Sequence, residues 1–376
     1  MVYLDHAAHT VVFPEVWERL DAVREPLRNP QSVHRSGRYS RALLDESRTT
    51  IARLLQARVE EILFTSGGTE ALQLGLMGVM RALHQQGRAG YALYSPLLHP
   101  GARDALMTLS PLWGLVPFPI PLTPTGQWDF PTLSHADRSP LPVQLIVVDD
   151  VSSLTGSRND PNALLPALQS LQAERPLIVL DHCAGAAEKL LRWPETPADI
   201  AVLSSEKLGA PAGTGLLLLR KGTPFSPLHT GSQEWGLRPG TPNTLGAIAL
   251  ATALELLAPL QHALHTRYTQ YQQQLREALR GHYHFPLPLE HTAAHILTGR
   301  HPVLTAQQLT IRADIAGLEL SAGPACTSGS STVSEGLLAL GMTNKEAERL
   351  WRLSMGPTTT AEDLATATQI LLDCAR

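Results

Sequence analysis

"IAVLSSEKLGAP", residues 200–211, runs from continuous apolar residues straight into a small polar cluster that holds one lysine. The chain has 30 Lys+Arg, yet only Lys189, Lys207, Lys221 and Lys345 are lysines. Where arginine is so strongly preferred, Lys207 has no surface role that arginine would not fill. What sets it apart is chemical. Arginine keeps its proton near neutral pH, whereas a lysine in apolar surroundings can lose one and become a nucleophile. The apolar run before it lacks alternation, as a strand buried on both faces does.

The same pattern recurs on either side. "EILFT" (61–65), "YALYS" (91–95), "QLIVVDD" (144–150), "PLIVLD" (176–181) and "GLLLLR" (215–220) read as further strands. Helical candidates separate several of them, among them "TEALQLGLMGVMRALHQQ" (69–86), "ARDALMTL" (102–109) and "PNALLPALQSL" (161–171). Apolar strands alternating with helices predict an α/β fold with a mostly parallel sheet covered on both faces. A long helical stretch from residue 245 to 279 leads into a second part. That part mixes short strands ("AAHILTG", 293–299; "LELSAG", 318–323) with helices ("AQQLTIRADIAG", 306–317; "TNKEAERLW", 343–351; "AEDLATATQILLDC", 361–374). The expected division is a large domain over 14–255 and a smaller α+β domain made of 1–13 with 256–376.

Composition narrows the class. A chain of 376 residues with 43% hydrophobic and 17% charged residues is globular and well buried. A net charge of −4 without long runs argues against direct nucleic-acid binding, which wants a basic face. No apolar run approaches the ~18 residues of a membrane span, and "MVYLDHAAHT" has neither a basic leader nor an apolar signal core. Cys183, Cys326 and Cys374 have neither metal-ligand spacing nor the pattern of a disulfide framework. The expectation is a soluble cytoplasmic protein with reduced thiols, no membrane and no resident metal.

In open α/β sheets ligands sit beyond the carboxyl ends of the strands, so the residues there are the candidates. Ser66-Gly67-Gly68-Thr69-Glu70 follows the first strand; its small residues open backbone N–H groups at a helix start, where an anion such as phosphate is favoured. The same residues also serve as an ordinary helix cap, and both readings stay open. Asp181 ends an apolar strand and needs a cation or a hydrogen bond. His99 follows "YALYSPLL", and Ser204, Ser205, Glu206 and Lys207 follow "IAVL". Each alone has a bland structural explanation. Together, an anion cradle, a buried acid, a histidine and a lysine on one sheet edge suit pyridoxal 5′-phosphate: lysine captures the aldehyde, the acid faces the pyridine nitrogen, and N–H groups hold the phosphate.

At this point the chain resembles, nearly end to end, the NifS/IscS-type cysteine desulfurases within the class V aminotransferase group of fold-type I enzymes. "VYLDHAAHT" (2–10), "NPQSVHRSGR" (29–38), "FTSGGTEA" (64–71), "LLHP" (97–100), "EWGLRPGT" (234–241), "SAGPACTSGS" (321–330) and "WRLSMG" (351–356) are similar to that family's motifs and stand in its order. The resemblance implies that Lys207 holds the cofactor, that Asp181 keeps its ring nitrogen protonated, and that His99 stacks on the ring and moves protons. It implies phosphate contacts from Gly68, Thr69 and Ser204, with Thr241 reaching in from the second subunit of a homodimer. Arg352, helped by Asn29, would clamp the carboxylate of L-cysteine. Cys326, on a loop of small residues, would take the substrate sulfur as a persulfide, leave alanine behind, and pass the sulfur to a protein acceptor. Iron–sulfur cluster assembly, tRNA thiolation and DNA sulfur modification remain open as destinations, as does Cys326 as a cluster ligand.

The chain departs from the family around the cofactor. Asp150 stands where the family has an Asn on the phenolic oxygen, Ala184 replaces a Gln, Glu206 replaces the His before the lysine, and His9 replaces a Thr. Two carboxylates beside a phosphate and a phenolate weaken cofactor binding unless turned away, protonated or paired, and His182 is a candidate partner for one of them. The competing functions are therefore an interaction scaffold that binds the cofactor poorly or only with a partner, and a selenocysteine lyase.

Overall fold

The computed structural model describes residues 1–135, 141–169, 175–323 and 334–376. Its strands are β1 (Val2–Tyr3), β2 (Ile62–Thr65), β3 (Gly90–Tyr94), β4 (Leu115–Pro119), β5 (Val143–Asp149), β6 (Leu177–Asp181), β7 (Ile200–Ser204), β8 (Gly215–Leu219), β9 (Ile296–Arg300), β10 (Leu318–Glu319) and β11 (Leu350–Ser354). The helices are α1 (Pro14–Val23), α2 (Arg35–Leu55), α3 (Gly68–Gln85), α4 (Pro100–Leu109), α5 (Phe130–His135), α6 (Leu164–Gln169) and α7 (Thr244–Leu257), followed by α8 (Gln261–Ala278), α9 (Ala306–Ile315), α10 (Glu335–Ala339), α11 (Asn344–Ala347) and α12 (Ala361–Cys374).

Seven strands form one sheet in the order β2-β8-β7-β6-β5-β3-β4, with β8 antiparallel to both neighbours and the other pairs parallel. The expected α/β class and mostly parallel sheet are what the chain adopts. Because β2, β3, β5, β6 and β7 point the same way, Thr65, Tyr94, Asp149, Asp181 and Ser204 end on one edge. Side chains alternate between two cores. Leu145, Val147, Val179 and Val202 face α3 and α4 in one cluster, while Ile146, Val148, Ile178 and Leu203 face the cluster that contains Ile51 of α2 and Leu250 of α7. Burial on both faces is why these strands read as unbroken apolar runs.

Three local readings change. β4 contains Pro117 and Pro119, which hides it in the sequence; it is tolerated because it forms the outer edge of the sheet. The helical pattern of 343–351 stops at Ala347, since Leu350 and Trp351 pair with Arg300 and Gly299 of β9 instead. The helical run Thr244–Ala278 is long and apolar enough, by length and composition, to cross a membrane. That corrects the expectation that no run approaches such a length. In this fold α7 packs against α1 and α2, with Ala247, Leu250 and Leu254 buried, and a 3-10 turn at Ala258–Leu260 containing Pro259 separates it from α8.

The chain's start joins its last third. β1 pairs in parallel with β10, and Asp5 bridges to Ser354 at the end of β11. β9 and β11 form a separate antiparallel pair that carries Arg352 opposite Thr298.

Candidate functional site

A cavity of about 1080 Å³ opens at the carboxyl edge of the sheet. The β2–α3 turn (Ser66–Glu70), His99, Asp181, Ser204, Glu206 and Lys207 line it from the large sheet, and Ala7, Ser321, Gly323, Ser334 and Arg352 line it from the rest of the chain. Residues up to 345 positions apart are brought to one hollow because parallel strands share a direction and β1 is tied to the C-terminal elements.

The turn after β2 is shaped for close approach. A Cβ added to Gly68 would lie 2.9 Å from Cys183 Sγ and 3.2 Å from Ser204 Cβ. Its N–H donates to Ser204 Oγ at 3.3 Å. Gly68 also starts the 18-residue α3, so the positive end of that helix faces the cavity. Of the carboxylates here, Glu70 is satisfied: Arg238 Nε donates to it at 2.8 Å and Ser66 N at 2.5 Å. Burial works against ionisation, but these donors hold the Glu70 carboxyl below its ordinary range. Glu206 accepts a hydrogen bond from Ser204 Oγ.

His99 caps α4, and Gly101 N donates to its Nδ1 at 3.1 Å. When neutral, the ring therefore carries its proton on Nε2. Withdrawal from water, and then the Lys207 cation, lower its pKa. Asp181 is buried and accepts from Cys183 N at 3.0 Å. Cys183 lines the cavity next to it, and burial pushes its thiol well above the ordinary range, as suits a packing residue.

Arg352 is 9% exposed. Its Nη2 donates to Asp5 Oδ1 at 2.7 Å, its Nη1 to the Ser153 carbonyl, and its buried Nε has no partner. Arg352 lines the cavity, but that Nε is itself shielded from it, and the fork is already held by Asp5 and Ser153.

Some sequence candidates lie elsewhere. Asp150 is not among the cavity-lining residues: its Oδ2 takes His182 Nδ1 at 2.7 Å, while His182 Nε2 faces the Lys189 carbonyl at 3.0 Å. Burial alone would depress that imidazole; the Asp150 carboxylate outweighs it and raises its pKa. A carboxylate on one ring nitrogen and a carbonyl on the other suit the imidazolium. Ala184 is buried beside them. Asn29 is exposed, and its Oδ1 caps the local turn by accepting from Gln31 N at 2.9 Å. Thr241 is exposed and away from the cavity of its own chain. Cys326 falls outside the described residues; Gly323 and Ser334, on either side of that segment, both line the cavity.

A buried acid next to the site, though not lining the cavity, escaped the sequence reading. Asp149 ends β5 directly beside Asp181 on β6, and burial pushes its pKa up to about 7. Two successive Asp at a strand end were the available signal, but the pattern cannot tell which of them points inward.

The residues present fit pyridoxal 5′-phosphate. An amine, a buried carboxylate and a histidine line one hollow, and the glycine cradle that a Cβ would fill lies at the start of a helix. Among the described residues, Glu206 is a group of like charge at that cradle with no cation within ion-pair distance.

Comparison with known proteins follows the same lines. The aminotransferase class-V family matches residues 2–366. A protein named cysteine desulfurase from Frankia sp. (strain EuIK1) is 33% identical over 391 residues, covering 99% of this chain and 90% of that protein. Cysteine desulfurase IscS of Dictyoglomus turgidum is 29% identical over 372 residues, covering 96% and 91%. Among solved structures, a NifS-like protein superposes with a TM-score of 0.89 at 22% identity, covering 99% of this chain and 98% of that one, a likeness of fold.

Proposed function

The chain belongs to the aminotransferase class-V family, and from that premise we propose that it works as a pyridoxal 5′-phosphate-dependent cysteine desulfurase. The observation that carries this reading is the convergence of Lys207, Asp181, His99 and the Gly68–Thr69 turn on one cavity whose rim holds both flanks of the Cys326 segment.

Lys207 would hold the cofactor through its amine, Asp181 would face its ring nitrogen, and the Gly68–Thr69 turn with Ser204 would hold its phosphate. The cofactor, when bound, supplies the electron sink that lets a proton leave the substrate α-carbon. His99, with Nδ1 occupied by Gly101, presents Nε2 as the site that gives or takes that proton. Arg352, which lines the cavity, is assigned to the substrate carboxylate. Cys326 thiolate then forms an S–S bond to the substrate sulfur as the C–S bond breaks, leaving alanine and a persulfide for a protein acceptor. Thr241, exposed on its own chain in the same stretch of sequence as the exposed Trp235 and Leu245, is assigned to the site of a second copy in a homodimer.

Purified protein is expected to be yellow, with borohydride fixing the label on Lys207. Cys326→Ala should keep the colour and release no sulfide from cysteine. A colourless protein that cannot be reconstituted, or sulfide release unimpaired by Cys326→Ala, overturns the assignment.

A further inference from the structure

The two carboxylates at the anion cradle are treated differently. Glu70 receives Arg238 and Ser66 N. Glu206 has no arginine, lysine or histidine within ion-pair distance among the described residues, and its carboxylate accepts only from Ser204 Oγ. Ser204 Oγ in turn accepts from Gly68 N, the first N–H of α3. A serine hydroxyl has one hydrogen. With that hydrogen spent on Glu206, the Ser204–Glu206 pair offers an incoming phosphate only lone pairs and a negative charge. Add one proton and the pair holds two hydrogens, one internal and one free to donate outward. Like charges at hydrogen-bonding distance do not both stay ionised.

We propose that Ser204 and Glu206 form a proton-dependent phosphate latch, in which one proton shared between Glu206 and the phosphate enters the site with the cofactor. The proposal rests on the pyridoxal 5′-phosphate reading. A phosphate monoester has its second pKa near ~6, so above that the proton comes from solvent and cofactor affinity falls as pH rises. His99 on the β3–α4 connection and Cys183 after β6 interact electrostatically with Glu206, and Lys207, Asp181, Glu70, Arg103, Asp104, Glu335 and Arg352 share its cavity. They act on bound ligands with or without a phosphate, which lets the latch be isolated.

The test uses the full chain freed of cofactor and two probes without the aldehyde, pyridoxine 5′-phosphate and pyridoxine, so that reaction with Lys207 contributes nothing. For the wild-type protein, Kd for pyridoxine 5′-phosphate is expected to rise about tenfold per pH unit between pH 7 and 9, relative to pyridoxine. Calorimetry in two buffers should count close to one proton taken up per phosphate ligand at pH 8. Glu206→Gln should flatten the slope and lower the proton count to near zero. A wild-type slope no steeper than that of pyridoxine, or a Glu206→Gln variant that keeps the slope, overturns the latch. Should a variant not fold, the wild-type proton count alone decides. If neither phosphate probe nor pyridoxal 5′-phosphate binds at pH 6.5 and borohydride leaves Lys207 unlabelled, the cofactor reading itself fails, which is a different result.

Discussion

Arg352 is where a single side chain decides most about substrate. Asp5 already neutralises part of its guanidinium at 2.7 Å, so an arriving carboxylate must compete with Asp5 for the fork. A planar fork is required to serve two oxygens on different sides, and an ammonium cannot reproduce that. Arg352→Lys is therefore expected to raise KM for cysteine by roughly 10–100-fold, the worth of a charge-assisted hydrogen bond, while the cofactor spectrum stays unchanged. An unchanged KM in steady-state kinetics would remove Arg352 from the substrate site. Asp150 makes the opposite point. Its charge is spent on His182 rather than on the cavity, so of the two acidic replacements only Glu206 lines the cavity.

At the scale of the element, the β2–α3 turn and the segment around Glu234 show how the site is held. Gly68→Ala places a methyl 2.9 Å from Cys183 Sγ and 3.2 Å from Ser204 Cβ, so the turn or its neighbours must shift. Cofactor affinity is expected to fall about tenfold, roughly 1.4 kcal/mol, in a spectrophotometric titration. Combining it with Cys183→Ala should recover much of that loss, and no recovery would mean the turn is not limited by this contact. Glu234 sits at φ 45° and Trp235 at φ 61°, a strained pair of non-glycine residues. Arg48 Nη2 holds Glu234 at 2.6 Å, Phe64 N donates to the same carboxylate at 2.9 Å, and both charged side chains are buried. Arg48→Met leaves that carboxylate unpaired and should cost about 3–5 kcal/mol in chemical denaturation. The double variant with Glu234→Leu is expected to be more stable than Arg48→Met alone.

For the whole molecule, the parallel strand ends concentrate acids at one edge, and this has a pH consequence. Asp149 is buried, with its pKa pushed up from 3.8 to about 7 chiefly by burial. Below pH ~4 both folded and unfolded chains hold its proton. Between about 4 and 7 only the folded chain does, so its contribution to stability is lost as pH rises through that window and stays lost above it. Asp149→Asn removes this dependence. At pH 8 the variant should be more stable than wild type by an order of ~2–4 kcal/mol, with the difference shrinking towards pH 5. Equal denaturation midpoints for the two proteins at pH 8 would contradict it. Glu188 acts in a separate range. Despite burial, His295, His265 and Arg158 lower its carboxyl to about 2, so its stabilisation is lost only as pH falls from about 4.5 towards that value.

The alternation of strands and helices, the phosphate-type turn, the lone lysine after β7 and the acid after β6 were all legible along the chain. Each follows from local rules: apolar periodicity, turn chemistry and the polarity change at a strand end act over a few neighbouring residues. The edge strand β4 with its two prolines, the conversion of Leu350–Ser354 from helix to strand, the inward turn of Asp149, the outward turn of Asp150 to His182 and the capture of Arg352 by Asp5 were not. All of these depend on which distant segment lies alongside. Pairing partners, burial and the direction of a side chain are set by distances between residues tens to hundreds of positions apart, and only the folded chain defines those distances.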